Sequence, residues 1–103
     1  WNYIRHHPRL FAAAAPLSGF FHGPRDSTEA AAIRHLPIWI FNGDGDDGVD
    51  GSRLSYQALR EAGARDVRYH EYVDQGHVID DFAYFTEGFL EWLFTQKSPP
   101  AEP

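Results

Sequence analysis

Two short segments of the chain carry the side chains that are best suited to acid–base chemistry. In residues 43–50, aspartates occupy four of the eight positions, namely Asp44, Asp46, Asp47 and Asp50. In the second segment His77 directly follows Gly76, which lets the backbone turn sharply so that the imidazole projects. A carboxylate beside a histidine fixes the tautomer of the imidazole and stabilises its protonated form. The two segments therefore predict a carboxylate–histidine pair.

The remaining histidines occupy positions that need no catalytic explanation. They are His6, His7, His22, His35 and His70. The first two are expected at a helix end, where a cation suits the helix dipole. Adjacent helical residues point to different sides, so this pair is a poor metal site. We expect all of them to be solvated or hydrogen-bonded to the protein.

The aspartate-rich segment allows two other interpretations. Residues 43–48 match the spacing G-x-G-x-x-G, which in a dinucleotide site receives a pyrophosphate on backbone N–H groups. A carboxylate ~4 Å from a phosphate costs about 4 kcal/mol at an effective dielectric constant near ~20, and several are present. The calcium pattern of an EF-hand fails because, counted from Asp44, Gly48 is the fifth residue and Ser55 the twelfth. A dinucleotide site and an adventitious cation site are the less favoured alternatives.

The elements that must position these segments alternate between helix and strand. Residues 1–7 are predicted to be the end of a helix stopped by Pro8. Strands are predicted over residues 10–15, 38–41 and 67–72, of which the second is apolar on both faces. Helices are predicted over residues 30–33, 52–62 and 82–94.

Capping residues mark the ends of these helices. Asp26 with Glu29 precedes the first, Gly63 follows the second, and Asp80 with Asp81 precedes the third. The order predicts an α/β fold with about three parallel strands alternating with helices. Sites in such sheets form at the carboxyl ends of the strands, which both chemistry-bearing segments follow.

Composition excludes several classes of protein. The chain has 103 residues, 43% of them hydrophobic and none of them cysteine, which excludes a disulfide scaffold and any cysteine-based zinc or redox site. The net charge of −6 leaves no basic face for nucleic acid, and no apolar run approaches the ~20 residues of a membrane span. Because methionine is absent and the chain starts at Trp1, we expect a processed chain or a piece of a longer one.

Three segments together resemble a known family. Trp1 is followed by a Pro-x-x-Phe-Ala-Ala segment that ends at Ser18-Gly19; residues 42–50 read Asn-Gly-Asp-Gly-Asp-Asp-Gly-Val-Asp; and Gly76-His77 precedes the last helix. In these features the chain resembles the C-terminal part of an α/β-hydrolase, in the carboxylesterase, polyhydroxybutyrate-depolymerase and prolyl-oligopeptidase-like group. The resemblance covers residues 1–96 and implies a partial α/β-hydrolase domain, with residues 97–103 as a flexible tail.

The resemblance assigns roles residue by residue. It implies that Asp46 is the acid of a catalytic triad and that His77 is its general base. Ser18 and Trp1 are expected at the edge of the pocket. The G-x-S-x-G turn that carries the nucleophile is absent from this chain, and the order of the triad places it before Trp1. Asn42 and Asp50 stand where this group often has His and Pro, which blurs the subfamily.

The resemblance implies a fragment of a serine hydrolase that acts on a small-molecule carboxylic ester and needs no cofactor or metal. The missing N-terminal half of the same domain would be its partner, and the 103-residue chain alone is expected to be inactive. A non-catalytic α/β binding or scaffold module is the alternative, with a dinucleotide-binding domain behind it.

Overall fold

A computed structural model describes residues 1–19 and 22–97, so residues 98–103 of the predicted tail lie outside the described part of the chain. The helices and strands, in chain order, are α1 (Asn2–His6), α2 (Ser27–Ala30), which continues as a 3-10 turn (Ala31–Ile33), β1 (Ile38–Gly43), α3 (Val49–Glu61), β2 (Val67–Tyr72), α4 (Asp80–Tyr84) and α5 (Phe89–Thr95). Within the described ranges no helix is both long and apolar enough to cross a membrane.

The centre of the fold is a parallel sheet of two strands, β1 and β2. They pair in register from Ile38 opposite Val67 to Gly43 opposite Tyr72, and α3 makes the crossover between them. All six residues of β1 are buried, as its run of apolar side chains predicts. The chain therefore has a small α/β fold, which confirms the predicted class.

The strand predicted over residues 10–15 does not form as a regular strand. Instead, Ala14 and Leu17 make isolated parallel bridges to Ile38 and Phe41 of β1, in one continuous register. The Pro16 carbonyl accepts from the Phe41 N–H at 2.9 Å, but proline has no N–H to give to the strand opposite it. This missing donor explains why the two bridges are not joined into a third strand.

Strand β1 separates two apolar layers because successive side chains of a strand point to opposite faces. Ile38 and Ile40 face one layer, while Trp39 and Phe41 face the other. The first layer is completed by side chains from α1, α2, the 3-10 turn, the segment before β1, and α3: Ile4, Ala30, Ile33, Leu36, Ala58 and Leu59. The second layer is completed by the residue before α4 and by side chains of α4 and α5: Ile79, Ala83, Phe89 and Trp92. Helices therefore cover both faces of the sheet.

The continuous helix predicted over residues 82–94 is two short helices, α4 and α5. Gly88 separates them with φ of +82°, a left-handed conformation that glycine adopts without steric cost. Asp80 and Asp81 lie in the first turn of α4 rather than capping it with a side chain. The other capping predictions are confirmed: Asp26 Oδ1 accepts from the Glu29 N–H at 2.9 Å, and Gly63 is left-handed with φ of +78°.

Candidate active site

The carboxyl ends of β1 and β2 bring one aspartate and one histidine together. Asp46 lies three residues beyond the end of β1, and His77 lies in the loop that follows β2. The Nδ1 atom of His77 is 2.9 Å from Oδ2 of Asp46. The two residues predicted to form a carboxylate–histidine pair are therefore within hydrogen-bonding distance.

The two members of this pair differ in their exposure to solvent. The Asp46 side chain is 6% exposed, whereas that of His77 is 65% exposed. Asp46 Oδ1 accepts from the backbone N–H of Gly48 at 3.4 Å, so both carboxylate oxygens face donors. A buried carboxylate is stable only with such partners. The acid is therefore enclosed behind a base that reaches the surface.

This geometry decides which imidazole nitrogen can act as a base. A carboxylate has only acceptor oxygens when it is ionised, so the His77 nitrogen facing Asp46, Nδ1, carries a proton. In the neutral ring the proton is then absent from Nε2, which becomes the basic nitrogen. The arrangement can take a proton at Nε2 and stabilise the resulting imidazolium through Asp46.

Hydrogen bonds from backbone N–H groups join the loop after β1 to the loop after β2. The Gly45 N–H donates to the Gln75 carbonyl at 2.9 Å, and the Asp74 N–H donates to Oδ1 of Asp44 at 2.7 Å. Asp74 itself has a left-handed backbone conformation, with φ of +58°. Asp44 therefore holds the loop that carries His77.

The close approach of the two loops depends on Gly43. A Cβ atom at this position would lie 2.2 Å from the Gln75 carbonyl oxygen and 2.4 Å from that of Gly76. Gly76 itself is not in the left-handed region, and a Cβ there would meet nothing within 4 Å. Glycine is therefore not sterically required at position 76, and the steric requirement for glycine is at the end of β1.

A buried polar contact ties the end of β1 to α3. Asn42 and Ser52 are both fully buried, and Ser52 donates its hydroxyl to Oδ1 of Asn42 at 2.8 Å. The Asn42 amide donates in turn to the Gly43 carbonyl at 3.0 Å. Sequence reasoning noticed Asn42 only as a departure from the family pattern. Its position in an otherwise apolar strand was the signal that it needed a buried partner.

The side chains predicted to line the pocket edge have different environments. Ser18 is buried and donates its hydroxyl to the His77 carbonyl at 2.6 Å, so it lies directly beside the candidate base. The Trp1 indole packs against Gly19 and Gly23, where an added Cβ atom would lie 3.0 Å from it in each case. Trp1 therefore supports the segment that follows Ser18.

An ionic contact fixes α3 against β2 beside the site. Arg53 donates Nε and Nη2 to the two carboxylate oxygens of Glu71, each at 2.8 Å, and the Tyr69 hydroxyl donates to the same carboxylate at 2.6 Å. The hydrogen-bonded Arg53 guanidinium holds the pKa of Glu71 below its ordinary value. Burial and the Glu71 carboxylate raise the pKa of Tyr69.

The loop after β1 is poorly suited to the alternative ligands. Backbone N–H groups of Asp44 and Gly45 donate to the carbonyls of Tyr72 and Gln75, each at 2.9 Å, so a phosphate would have to displace these bonds. Among residues 1–19 and 22–97, no group of three or more His, Cys, Asp or Glu side chains could hold a metal ion.

Three of the other histidines contact nearby protein groups. His6 Nδ1 is 2.7 Å from the Asn2 carbonyl, His35 Nε2 is 2.7 Å from the Pro8 carbonyl, and the His70 ring lies 4.5 Å from that of Tyr72. The structure brings none of these three to Asp46.

Comparison with known proteins does not identify the chain. No protein-family model matches it, and no curated protein matches it either.

Proposed function

We propose that this chain supplies the acid and the general base of a serine-hydrolase triad that acts on a small-molecule carboxylic ester. The observation that carries the proposal is the 2.9 Å contact between His77 Nδ1 and Asp46 Oδ2. The two residues are 31 positions apart and follow adjacent parallel strands. A buried acid that holds the inner nitrogen of an exposed imidazole is the arrangement that such a base requires.

The surroundings of the pair support a partial α/β-hydrolase fold. Residues 14–18 run parallel to β1 in the place of a third strand, and helices cover both faces of the sheet. The acid precedes the base along the chain, which is their order in that fold, where the nucleophile comes first of the three.

The nucleophile in this proposal is a serine on a G-x-S-x-G turn that precedes Trp1. The serines of the described ranges have other partners or positions. Ser18 donates to a carbonyl, Ser27 begins α2, and Ser52 and Ser55 are buried within α3. A nucleophilic serine needs an exposed hydroxyl in reach of His77 Nε2.

The reaction then follows from the positions of the protons. As the serine oxygen attacks the ester carbonyl, His77 Nε2 takes the hydroxyl proton, and Asp46 stabilises the imidazolium. The same proton passes to the leaving alkoxide when the C–O bond breaks, which leaves an acyl-enzyme. Water, deprotonated by the same nitrogen, hydrolyses that ester and restores the serine.

The test uses the protein expressed together with the sequence that precedes Trp1, and measures turnover of a p-nitrophenyl ester. Asp46→Asn keeps the shape of the side chain but removes its charge, and His77→Ala removes the base. We expect each to lower kcat by roughly three to four orders of magnitude. A fluorophosphonate probe should label a serine outside residues 1–103.

Matched variants show whether a loss is specific to the pair. Asp47→Asn changes the adjacent carboxylate of the same loop, and His70→Gln changes a histidine of the neighbouring strand. Both should retain turnover within a fewfold of the unmodified protein. Equal turnover in all four variants, or an unmodified protein that hydrolyses no ester, would contradict the proposal and favour a non-catalytic module.

A further inference from the structure

Ser18 has a backbone conformation that a serine rarely adopts. Its φ of +55° lies in the left-handed region, which costs a residue with a Cβ atom free energy that glycine would not lose. The chain nevertheless holds this conformation at a buried site, where the Ser18 N–H donates to the Phe41 carbonyl at 2.9 Å. A strained residue persists where its surroundings impose that conformation, and such residues cluster at functional sites.

The Ser18 hydroxyl connects the segment that runs parallel to β1 with the loop after β2. It donates to the backbone carbonyl of His77 at 2.6 Å, across 59 positions of sequence. His77 belongs to no helix or strand, so its position depends on contacts of this kind. The carbonyl and the imidazole of one residue are thus held from two directions, by Ser18 and by Asp46.

We propose that Ser18 is a positioning residue, which fixes the backbone of His77 so that Nδ1 meets Asp46. The effect of Ser18 on turnover rests on the proposed hydrolase function. The effect of Ser18 on the His77 imidazole can be measured whether or not the protein hydrolyses esters. The bond from Ser18 fixes the backbone of His77, and the bond to Asp46 fixes its imidazole. Without the bond from Ser18, movement of the loop would carry the imidazole away from Asp46. A misplacement of about 1 Å can cost on the order of a hundredfold in rate.

The test compares two variants of Ser18 with a matched control. Ser18→Ala removes the hydroxyl and keeps the strain, Ser18→Gly removes both, and Ser55→Ala removes another fully buried hydroxyl, which lies within α3. Imidazole ¹⁵N and ¹H NMR spectra of the full chain report the tautomer of His77 and its bond to Asp46. We expect both Ser18 variants to weaken the Nδ1–H signal, and Ser55→Ala to leave it unchanged.

Turnover supplies a second measurement. In the ester-hydrolysing protein, both Ser18 variants should lower kcat about tenfold to a hundredfold with little change in KM, and should alter the pH profile. The Gly variant keeps the test decisive if the Ala variant fails to fold. An unchanged His77 signal in Ser18→Gly would overturn the proposal. A changed signal in a protein that hydrolyses no ester would support the positioning role and contradict only the hydrolase function.

Discussion

At the scale of single residues, two neighbouring aspartates of the site make different contacts. Asp46 binds the imidazole of His77, while Asp44 binds the backbone N–H of Asp74 and so holds the loop on which His77 lies. Composition alone makes these carboxylates look interchangeable. Their roles differ because one side chain is enclosed at the strand end and the other reaches across to the next loop.

Gly43 gives the sharpest prediction at this scale. Gly43→Ala places a Cβ atom 2.2 Å from a backbone carbonyl oxygen, which no side-chain movement can relieve. We expect the free energy of unfolding to fall by roughly 1–3 kcal/mol, as overpacking does, and the His77 Nδ1–H signal to weaken as the loops separate. Thermal melting and NMR measure the two effects.

The matched variant for this test is Gly76→Ala. Gly76 lies four residues beyond the end of β2, and a Cβ atom there meets open space. It should melt within a degree or two of the unmodified chain, since surface substitutions usually change stability by less than about 0.5 kcal/mol. Equal melting temperatures for both variants would show that the loops do not meet as described.

At the scale of elements, the third strand is incomplete because of one missing donor. Pro16→Ala adds the N–H that the register places opposite the Trp39 carbonyl, between the bridges at Ala14 and Leu17. We expect the new amide to be protected from hydrogen exchange, with the amide of Ser18, which already donates to Phe41, as the internal reference. Exchange of the new amide at the unprotected rate would contradict the continuous register.

The contact between α3 and β2 predicts a pH dependence. Arg53 depresses the pKa of Glu71, so this carboxylate contributes stability above its unfolded pKa of about 4.3 and loses it as the pH falls through the folded value. Glu71→Gln should therefore melt at a lower temperature at neutral pH and show a smaller acid-induced decrease. Asp50→Asn removes the other, 87% exposed partner of Arg53 and should change little. Identical acid melting curves for the unmodified chain and Glu71→Gln would exclude this role.

Sequence reasoning was most successful where a strong local pattern met a topological rule. The apolar run of β1 and the alternation of β2 predicted both strands, and the rule that parallel strands end at one edge predicted the proximity of Asp46 and His77. Sequence reasoning failed where the backbone conformation of a single residue decides where a helix ends. Gly88 breaks the last helix although the aromatic spacing continues through it, because helical periodicity carries no information about a left-handed residue.

The contacts of Ser18 and Asp44 could not be predicted for a related reason. Each contact involves a non-glycine residue with positive φ, which is Ser18 itself in one case and Asp74 in the other. Such conformations are imposed by tertiary contacts rather than by the residue type. The sequence therefore indicated which groups could do chemistry, but not which groups hold them in place.

At the scale of the whole molecule, the fold combines a buried apolar centre with several aromatic side chains that are exposed at the surface. Both layers around β1 are buried, yet Phe85 and Phe94 are 87% and 81% exposed. Phe82, 47% exposed, lines a groove with Phe85 beside Tyr72 of β2. Exposed aromatic side chains of this size favour self-association.

The net charge of −6 opposes that association near neutral pH, and the opposition vanishes near the isoelectric point of about 5.3. We expect light scattering of the 103-residue chain to rise as the pH is lowered toward that value and to fall with Phe85→Ser or Phe94→Ser. Both variants should remain folded, because these side chains are exposed and contribute little to the core. Melting curves at low protein concentration check this. Scattering that does not change with pH would show that net charge does not control association. Scattering that is unaffected by either substitution would show that these aromatic side chains do not drive it.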